Sequence, residues 1–387
     1  MSEAPVAPGS PATGRIAALD GLRGLAVLLV VVMHYYVVVP TPADVPFHYT
    51  LRQTGSLFHH GVDLFFVLSG FFIGGILLDH RGSPRLLRSF YFRRALRILP
   101  LYILLLAAVF IGREVPGLNA VYRGRFFASV LPDWPFFAFL QNFWMVAHQD
   151  MGPHWLSVTW SLAIEEQFYL LLPLVLLRLS PRQLALGCVV LLLASPLFRI
   201  VTILYTKNPF AASLLLPTHA DGLLCGVLCA LAARSTAAMA ALRRQRRALG
   251  LLLGAFVLGA AIVSTGALAA ESVTASIITE SSGLLLLALG FAGVLLHVLA
   301  FPQSALARCL AWAPLAWVGL VSYFVYLFHR PVWYVLHWLI LGSAPVHHTL
   351  QAGALTVVSL GVTLALAWCS WRWLEAPLLR LARRSPY

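Results

Sequence analysis

The sequence predicts an all-α polytopic membrane protein with about ten transmembrane helices and both termini cytoplasmic. Three observations carry this. Of 387 residues, 60% are hydrophobic and only 11% charged. The mean hydropathy is +0.84. Apolar runs long enough to cross a bilayer recur along nearly the whole chain. Soluble chains carry nearer about 25% charged residues and could not bury this much apolar surface. The spans use up the length and leave no room for a separate soluble domain.

The head, residues 1–14, reads MSEAPVAPGSPATG. It is rich in Pro, Ala and Gly and is expected to be a disordered cytoplasmic tail. It lacks the basic region and short apolar run of a cleavable signal. The expected spans follow in order: Leu19–Val39, Gly61–Leu78, Ile98–Gly112, Ser161–Leu177, Gln183–Leu204, Thr218–Ala233, Gly250–Ala269, Ile277–Ala300, Trp312–Ile340 and Leu350–Trp371. Residues 15–373 therefore form one transmembrane domain, and 374–387 a basic cytoplasmic tail.

The segment Trp134–Val146 is apolar but short and rich in Trp and Phe. Its status decides the topology. If it does not span, Arg15, the run Arg81 to Arg97, Arg178, Arg182, the run Arg234 to Arg247, Arg308 and Arg372 to Arg384 all face inward. Only Arg52, Arg113, Arg123, Arg125, Lys207 and Arg330 then face outward. If it spans, RRQRR at Arg243 to Arg247 is turned outward. The positive-inside rule selects the first arrangement. Trp134, Phe136, Phe137, Phe139, Phe143 and Trp144 then suit an interfacial belt or a lip over a site.

Net charge is +13. In a soluble protein that excess would suggest nucleic acid. Here the arginines collect in loops that meet anionic lipid, so membrane lipids are the expected partner and nucleic acid is not. Cys188, Cys225, Cys229, Cys309 and Cys369 form no CxxC pair. They read as small core residues, with no metal site.

Two ionisable groups lie inside the first span. Arg23 and His34 are eleven residues apart, so about 16 Å separates them along a helix. Such groups are costly in lipid and mark function. His34 falls in the outer half. Asp63, Glu165, Glu166, Asp221, His219, His329 and Arg330 map to the same side. A histidine near carboxylates suits general-base work or a proton relay. On the opposite side, RSFYFRRALRILPLY carries Arg88, Arg93, Arg94 and Arg97. Arg94 and Arg97 share a helix face, and arginine forks suit phosphate. An ordinary positive-inside anchor would use the same residues. A phosphorylated donor from the cytoplasm and an acceptor from outside would fit this asymmetry.

These strings resemble the membrane-bound acyltransferase family 3, the O-acetyltransferases of bacterial surface glycans. RIAALDGLRGLAVLLVVVMHY is similar to its first helix, with Arg23 and His34. GVDLFFVLSGFFIGGILL resembles its second, with Asp63, Ser69 and Gly70. FRRALRILPLY carries its RxxR pattern at Arg94 and Arg97. WSLAIEEQFYLLLP resembles its WSL-E-FY element, with Trp160, Ser161, Glu165, Phe168 and Tyr169. HADGLLCG matches an Asp-to-Gly element at Asp221 and Gly226. SYFVYLFHRPV matches a late Tyr/His element with Tyr323, Tyr326 and His329.

The resemblance covers residues 15 to 373. It implies an acyl-CoA donor, most often acetyl-CoA, and a glycan or glycolipid acceptor in a bacterial inner membrane. Arg23, Arg93, Arg94 and Arg97 would meet the donor. His34 would be the base or would take the acyl group itself. Glu165 or Asp63 would orient it. Trp160, Asp221, Tyr323, Tyr326 and His329 would line the acceptor side. Many members carry Arg two positions before the Asp of the sixth span, where this chain has His219. Some continue into a C-terminal SGNH-type domain. This sequence ends at Tyr387, which implies the bare membrane form. The competing class is a proton-coupled transporter or lipid flippase using the same buried groups. A structural or sensory protein would not need Arg23, His34 and Glu165 together.

Overall fold

A computed structural model of the chain describes residues 16–37, 55–115, 127, 129–206, 208–268, 277, 279–345 and 349–387. The expected N-terminal tail lies outside them. Every regular element among the described residues is helical.

Seven helices are long and apolar enough to span a bilayer, or nine if each of two bent pairs counts as one span. The chain is a multi-pass membrane protein. The first helix, α1 (Ala17–Val32), widens into a π-helical turn over Met33–Val37. Residues 38 and 39 of the expected first span are outside the described residues. A 3₁₀ turn, Gly55–His60, leads into α2 (Gly61–Asp79). The next helix, α3 (Leu86–Glu114), starts well before the expected Ile98. Its first turns carry Arg88, Arg93, Arg94 and Arg97, so the basic cluster sits on the spanning helix itself.

The aromatic segment forms two short helices, α4 (Trp134–Phe137) and α5 (Gln141–His148), neither long enough to span. Then come α6 (Thr159–Arg178) and α7 (Pro181–Thr206). On α7 two opposite stripes repeat every three or four residues. Leu186, Val190, Leu193, Leu197, Val201 and Leu204 are exposed, while Leu184, Cys188, Leu192, Ser195, Arg199 and Ile203 are buried. In a bilayer the first stripe faces lipid at no cost, and the second packs inward.

Three short pieces follow: α8 (Pro209–Leu214), α9 (Leu216–His219) and then α10 (Asp221–Ala233). The expected sixth span therefore begins at Asp221, after a break at Ala220. It bends by 98° into α11 (Thr236–Arg244). Ser235 caps α11 by accepting from Ala238 N at 3.2 Å, which supports a fresh helix start there. The expected seventh span falls on α12 (Arg246–Leu268), whose apolar stretch Leu249–Ile262 is shorter than the other spans. The eighth contains α13 (Leu284–Ala300), followed by the short α14 (Ala305–Leu310).

The expected ninth span is not one rod. It breaks at Val321 into α15 (Ala313–Leu320) and α16 (Ser322–Leu341), bent by 76°. The last long helix is α17 (Leu350–Ser370), which continues through a π turn, Trp371–Glu375, into α18 (Ala376–Arg383). The expected C-terminal tail is thus largely helical and packs back on α3.

Several helix pairs approach closely at glycine, two of them beside the site. α2 packs most extensively on α10, and α1 on α15. A methyl group on Gly222 would lie 2.8 Å from Phe66 Cβ, and one on Gly319 would lie 3.0 Å from Gly24 N. Lipid supplies no hydrophobic drive between helices, so close backbone packing of this kind holds them together. Residues of α1, α2, α3, α6 and α16 line one interior cavity.

Candidate functional site

The cavity has a volume of about 320 Å³. Arg23, Arg94, Arg97 and Tyr169 line one part of it, and Val62, Ser161 and Tyr326 another. Along α2 its lining runs from Val62 to Ile76, which is about 21 Å of helix. The cavity is therefore a slot along the helices.

Three guanidinium groups converge on this slot. Arg23 comes from α1, Arg94 and Arg97 from α3. Arg23 lies within electrostatic reach of Arg94, Glu165 and Tyr169. Arg94 also lies over the Tyr169 ring, with Cζ 5.3 Å from the centroid. Glu375, on the last π turn, is within electrostatic reach of Arg97 and Arg23. Such a cluster suits a polyanion. Arg93 points elsewhere. It donates to the Ser385 carbonyl at 2.6 Å and 3.1 Å and sits 4.1 Å over the Tyr387 ring.

Glu165 is a half-buried carboxylate in the middle of the slot. It accepts a hydrogen bond from Ser69 Oγ at 2.5 Å, and Ser69 Oγ accepts from Tyr169 at 2.8 Å. Tyr323 donates to the Ile98 carbonyl at 2.9 Å. Tyr326 donates to the Val158 carbonyl at 2.9 Å and meets Ser161 Oγ at 2.5 Å. Both tyrosines line the slot, with their hydroxyls tied to backbone.

His34 stands on the π turn beyond the slot. The expected carboxylate partner is not there, since neither Glu165 nor Asp63 bonds to it. Its Nδ1 lies 3.0 Å from the Val30 carbonyl and 3.1 Å from His329 Nε2. His329 Nδ1 lies 2.9 Å from the Val325 carbonyl. A carbonyl can only accept, so His329 carries its proton on Nδ1 and its Nε2 is an acceptor. His34 Nδ1 faces two acceptors and must be the protonated nitrogen. The neutral His34 ring is thereby left with its lone pair on Nε2. A second histidine and a helical carbonyl do the orienting. Tyr35 holds the other end of this pair, donating to the His329 carbonyl at 2.9 Å. The neighbouring Arg330 donates to Ser157 Oγ and, at 3.2 Å, to His154 Nδ1. Burial and the Arg330 charge hold His154 below the usual histidine pKa.

Asp63 belongs to a different group. His60 Nδ1 donates to its Oδ2 at 2.6 Å, and His219 Nε2 to its Oδ1 at 2.7 Å. These residues line a second cavity of about 380 Å³, together with Trp160 and His59. Trp160 packs against the His219 ring at 5.5 Å between centroids. Val62 lines both cavities. Among the described residues no group of three His, Cys, Asp or Glu side chains is arranged to hold a metal ion.

Asp221 lines neither cavity. It is buried against Arg199 of α7 in a two-pronged ion pair, with both N–O distances 2.9 Å. Ser195 Oγ donates to it as well. Arg199 further donates to the Thr218 carbonyl at 2.7 Å and the Ser281 carbonyl at 2.9 Å. A positive charge does meet Asp221, but from another helix, and His219 is left to pair with Asp63. Asp221 acts as a tie between α7 and α10, in place of the expected acceptor contact. Arg199 escaped the reading of the sequence. The signal was present, because a lone Arg within an apolar span is the feature that singled out Arg23.

Comparison with known proteins agrees with the opening resemblance. The acyltransferase domain family Acyl_transf_3 matches residues 16–372. Peptidoglycan O-acetyltransferase OatA of Listeria monocytogenes serovar 1/2a is 28% identical over 381 residues, covering 94% of this chain and 56% of that protein. The putative peptidoglycan O-acetyltransferase YrhL of Bacillus subtilis (strain 168) is 30% identical over 391 residues, 96% of this chain and 56% of that one. O-acetyltransferase OatA of Staphylococcus aureus (strain NCTC 8325 / PS 47) is 25% identical over 379 residues, with coverage of 93% and 56%. The chain thus spans about 56% of the length of these relatives. No solved structure matches. A family match across nearly the whole chain, together with a buried His34 and a basic slot on the helices that carry the family's motifs, places the chain in the membrane-bound acyltransferase family 3.

Proposed function

We propose that this protein is an O-acyltransferase that moves an acyl group, in the first instance acetyl, from acyl-CoA to a hydroxyl of a cell-envelope glycan. The reading includes ten spans, both termini cytoplasmic, in a bacterial inner membrane. The observation that carries it is the slot joining Arg23, Arg94 and Arg97 to Tyr326, one helical turn before His329. Its length along α2, about 21 Å, suits an extended thiol arm whose phosphates rest on the arginines. The named activities of the relatives supply the acceptor class: peptidoglycan, a glycan rich in hydroxyls.

In this reading His34 Nε2 takes the proton of the acceptor hydroxyl as its oxygen attacks the thioester carbonyl. The carbon–sulfur bond breaks, and the thiolate of CoA leaves with that proton. His329 and the Val30 carbonyl keep the His34 lone pair on Nε2. Arg23, at the level of Glu165 and Tyr169, meets the donor. The test is direct. Purified protein in nanodiscs is given acetyl-CoA, and release of CoA is followed. Slow release without acceptor and faster release with glycan is the expected result. A folded sample that neither binds nor turns over acetyl-CoA would favour a proton-coupled transporter.

A further inference from the structure

The second cavity shares Val62 with the donor slot and holds three histidines that the transfer step does not use. Its lining joins an aromatic wall, Trp160, and apolar Met151, Leu214 and Leu284 to the polar His59, His60, Asp63, Ser213 and His219. The protonation pattern follows from its contacts. His219 Nδ1 lies 2.7 Å from the Ser213 carbonyl, and its Nε2 lies 2.7 Å from Asp63 Oδ1. Both partners accept, so His219 donates from both nitrogens and is an imidazolium beside the Asp63 carboxylate. His60 Nδ1 donates to the other oxygen, Oδ2, at 2.6 Å.

That leaves His60 Nε2 as a lone-pair acceptor. His60 is 7% exposed and lines the cavity, and the described residues give this nitrogen no partner. In a Ser-His-Asp triad the carboxylate charge supports a protonated imidazole. Here the His219 cation already neutralises Asp63. His60 Nε2 is therefore an acceptor held in place by the Nδ1 contact to Asp63. An acceptor nitrogen of this kind pairs with a hydroxyl. The site also lies on the His34 side. The His59 ring is 6.2 Å from His60 and within electrostatic reach of His34.

We propose that this cavity is the pocket for the acceptor, a neutral pyranose ring, in which His60 Nε2 receives a hydrogen bond from a ring hydroxyl and Trp160 backs an apolar ring face. The volume is within the range of small-ligand sites. This rests on the O-acyltransferase reading and adds to it where the acceptor sits and which residue selects it.

The experiment compares wild type, His60→Phe, His60→Gln and Leu284→Phe in nanodiscs, with acetyl-CoA as donor and a soluble chito-oligosaccharide as acceptor. Phe removes the acceptor nitrogen, and KM for the oligosaccharide is expected to rise about tenfold, the loss of one buried hydrogen bond. The KM for acetyl-CoA is expected to move far less. Gln can donate to Asp63 and still accept from the sugar, so it restores most of the acceptor affinity. A base could not be replaced in this way. Leu284→Phe adds bulk to the lining of the same cavity and also raises the oligosaccharide KM, which keeps the test valid if His60→Phe misfolds. The proposal is overturned if both Phe variants leave that KM unmoved, if Gln is no better than Phe at position 60, or if the oligosaccharide does not accelerate wild-type turnover. Failure of wild type to turn over acetyl-CoA at all would instead overturn the O-acyltransferase reading.

Discussion

His34 Nδ1 lies 3.1 Å from His329 Nε2, across 295 residues of sequence. The pair joins the π turn after α1 to the middle of α16 and, among the described residues, leaves His34 Nε2 without a hydrogen-bond partner. Replacing His329 by Ala removes one of the two groups that hold the tautomer. We expect kcat to fall about tenfold to a hundredfold, within the roughly 10²–10⁴ that a positioned base supplies. The KM for acetyl-CoA should stay near wild type, and steady-state kinetics read both. An unchanged kcat would reduce the contact to packing.

Arg94 and Arg97 line the slot, while Arg93 is engaged with Ser385 and Tyr387. Charge-assisted hydrogen bonds contribute about 1.5–3 kcal/mol each, so the Arg94→Gln, Arg97→Gln double variant should weaken acetyl-CoA binding by roughly a hundredfold or more. Arg93→Gln should change it little. Isothermal titration with CoA separates the two, and equal effects would make the cluster a general surface charge.

Arg199 and Asp221 form a fully desolvated pair between α7 and α10. Removing one partner strands a buried charge, at a cost of about 3–5 kcal/mol. Arg199→Met and Asp221→Leu should each lower the thermal midpoint in detergent sharply. The double replacement should be milder than either, since no lone charge remains. Fluorescence-detected size exclusion after heating measures this. Asp221→Leu with normal stability and a raised acceptor KM would return Asp221 to the acceptor site.

Gly226 faces α2, where an added methyl would lie 2.6 Å from Phe71 N. Gly226→Leu cannot be accommodated without parting α2 from α10. Loss of folded protein is the expected outcome, whereas Gly250→Leu, at an open position, should be tolerated.

Much of this was legible in the chain. Hydropathy marked the regions of the long helices, and charge placement kept Trp134–Val146 from being a span, as its two short helices agree. Arg23, Arg94 and Arg97, read as a donor-side group, line one cavity, and Glu165, Tyr323 and Tyr326, expected on the opposite side, line it too. What stayed hidden depends on contacts between distant segments. A histidine and a carboxylate in one outer layer suggested a pair, but the rotation of each helix gave His34 to His329 and Asp63 to His60 and His219. The bend at Val321 leaves no mark in hydropathy, because the apolar run continues through it. Arg199 was overlooked since its partner lies on the next spanning helix, 22 residues on.

The most direct measurement is acetyl-CoA turnover by the purified protein in nanodiscs, wild type beside His34→Ala, with CoA affinity measured on the same samples. Loss of turnover with retained CoA binding is the result expected if His34 Nε2 acts at the transfer step. Equal turnover in the variant, with the protein folded, would contradict that role and remove His34 from the chemistry.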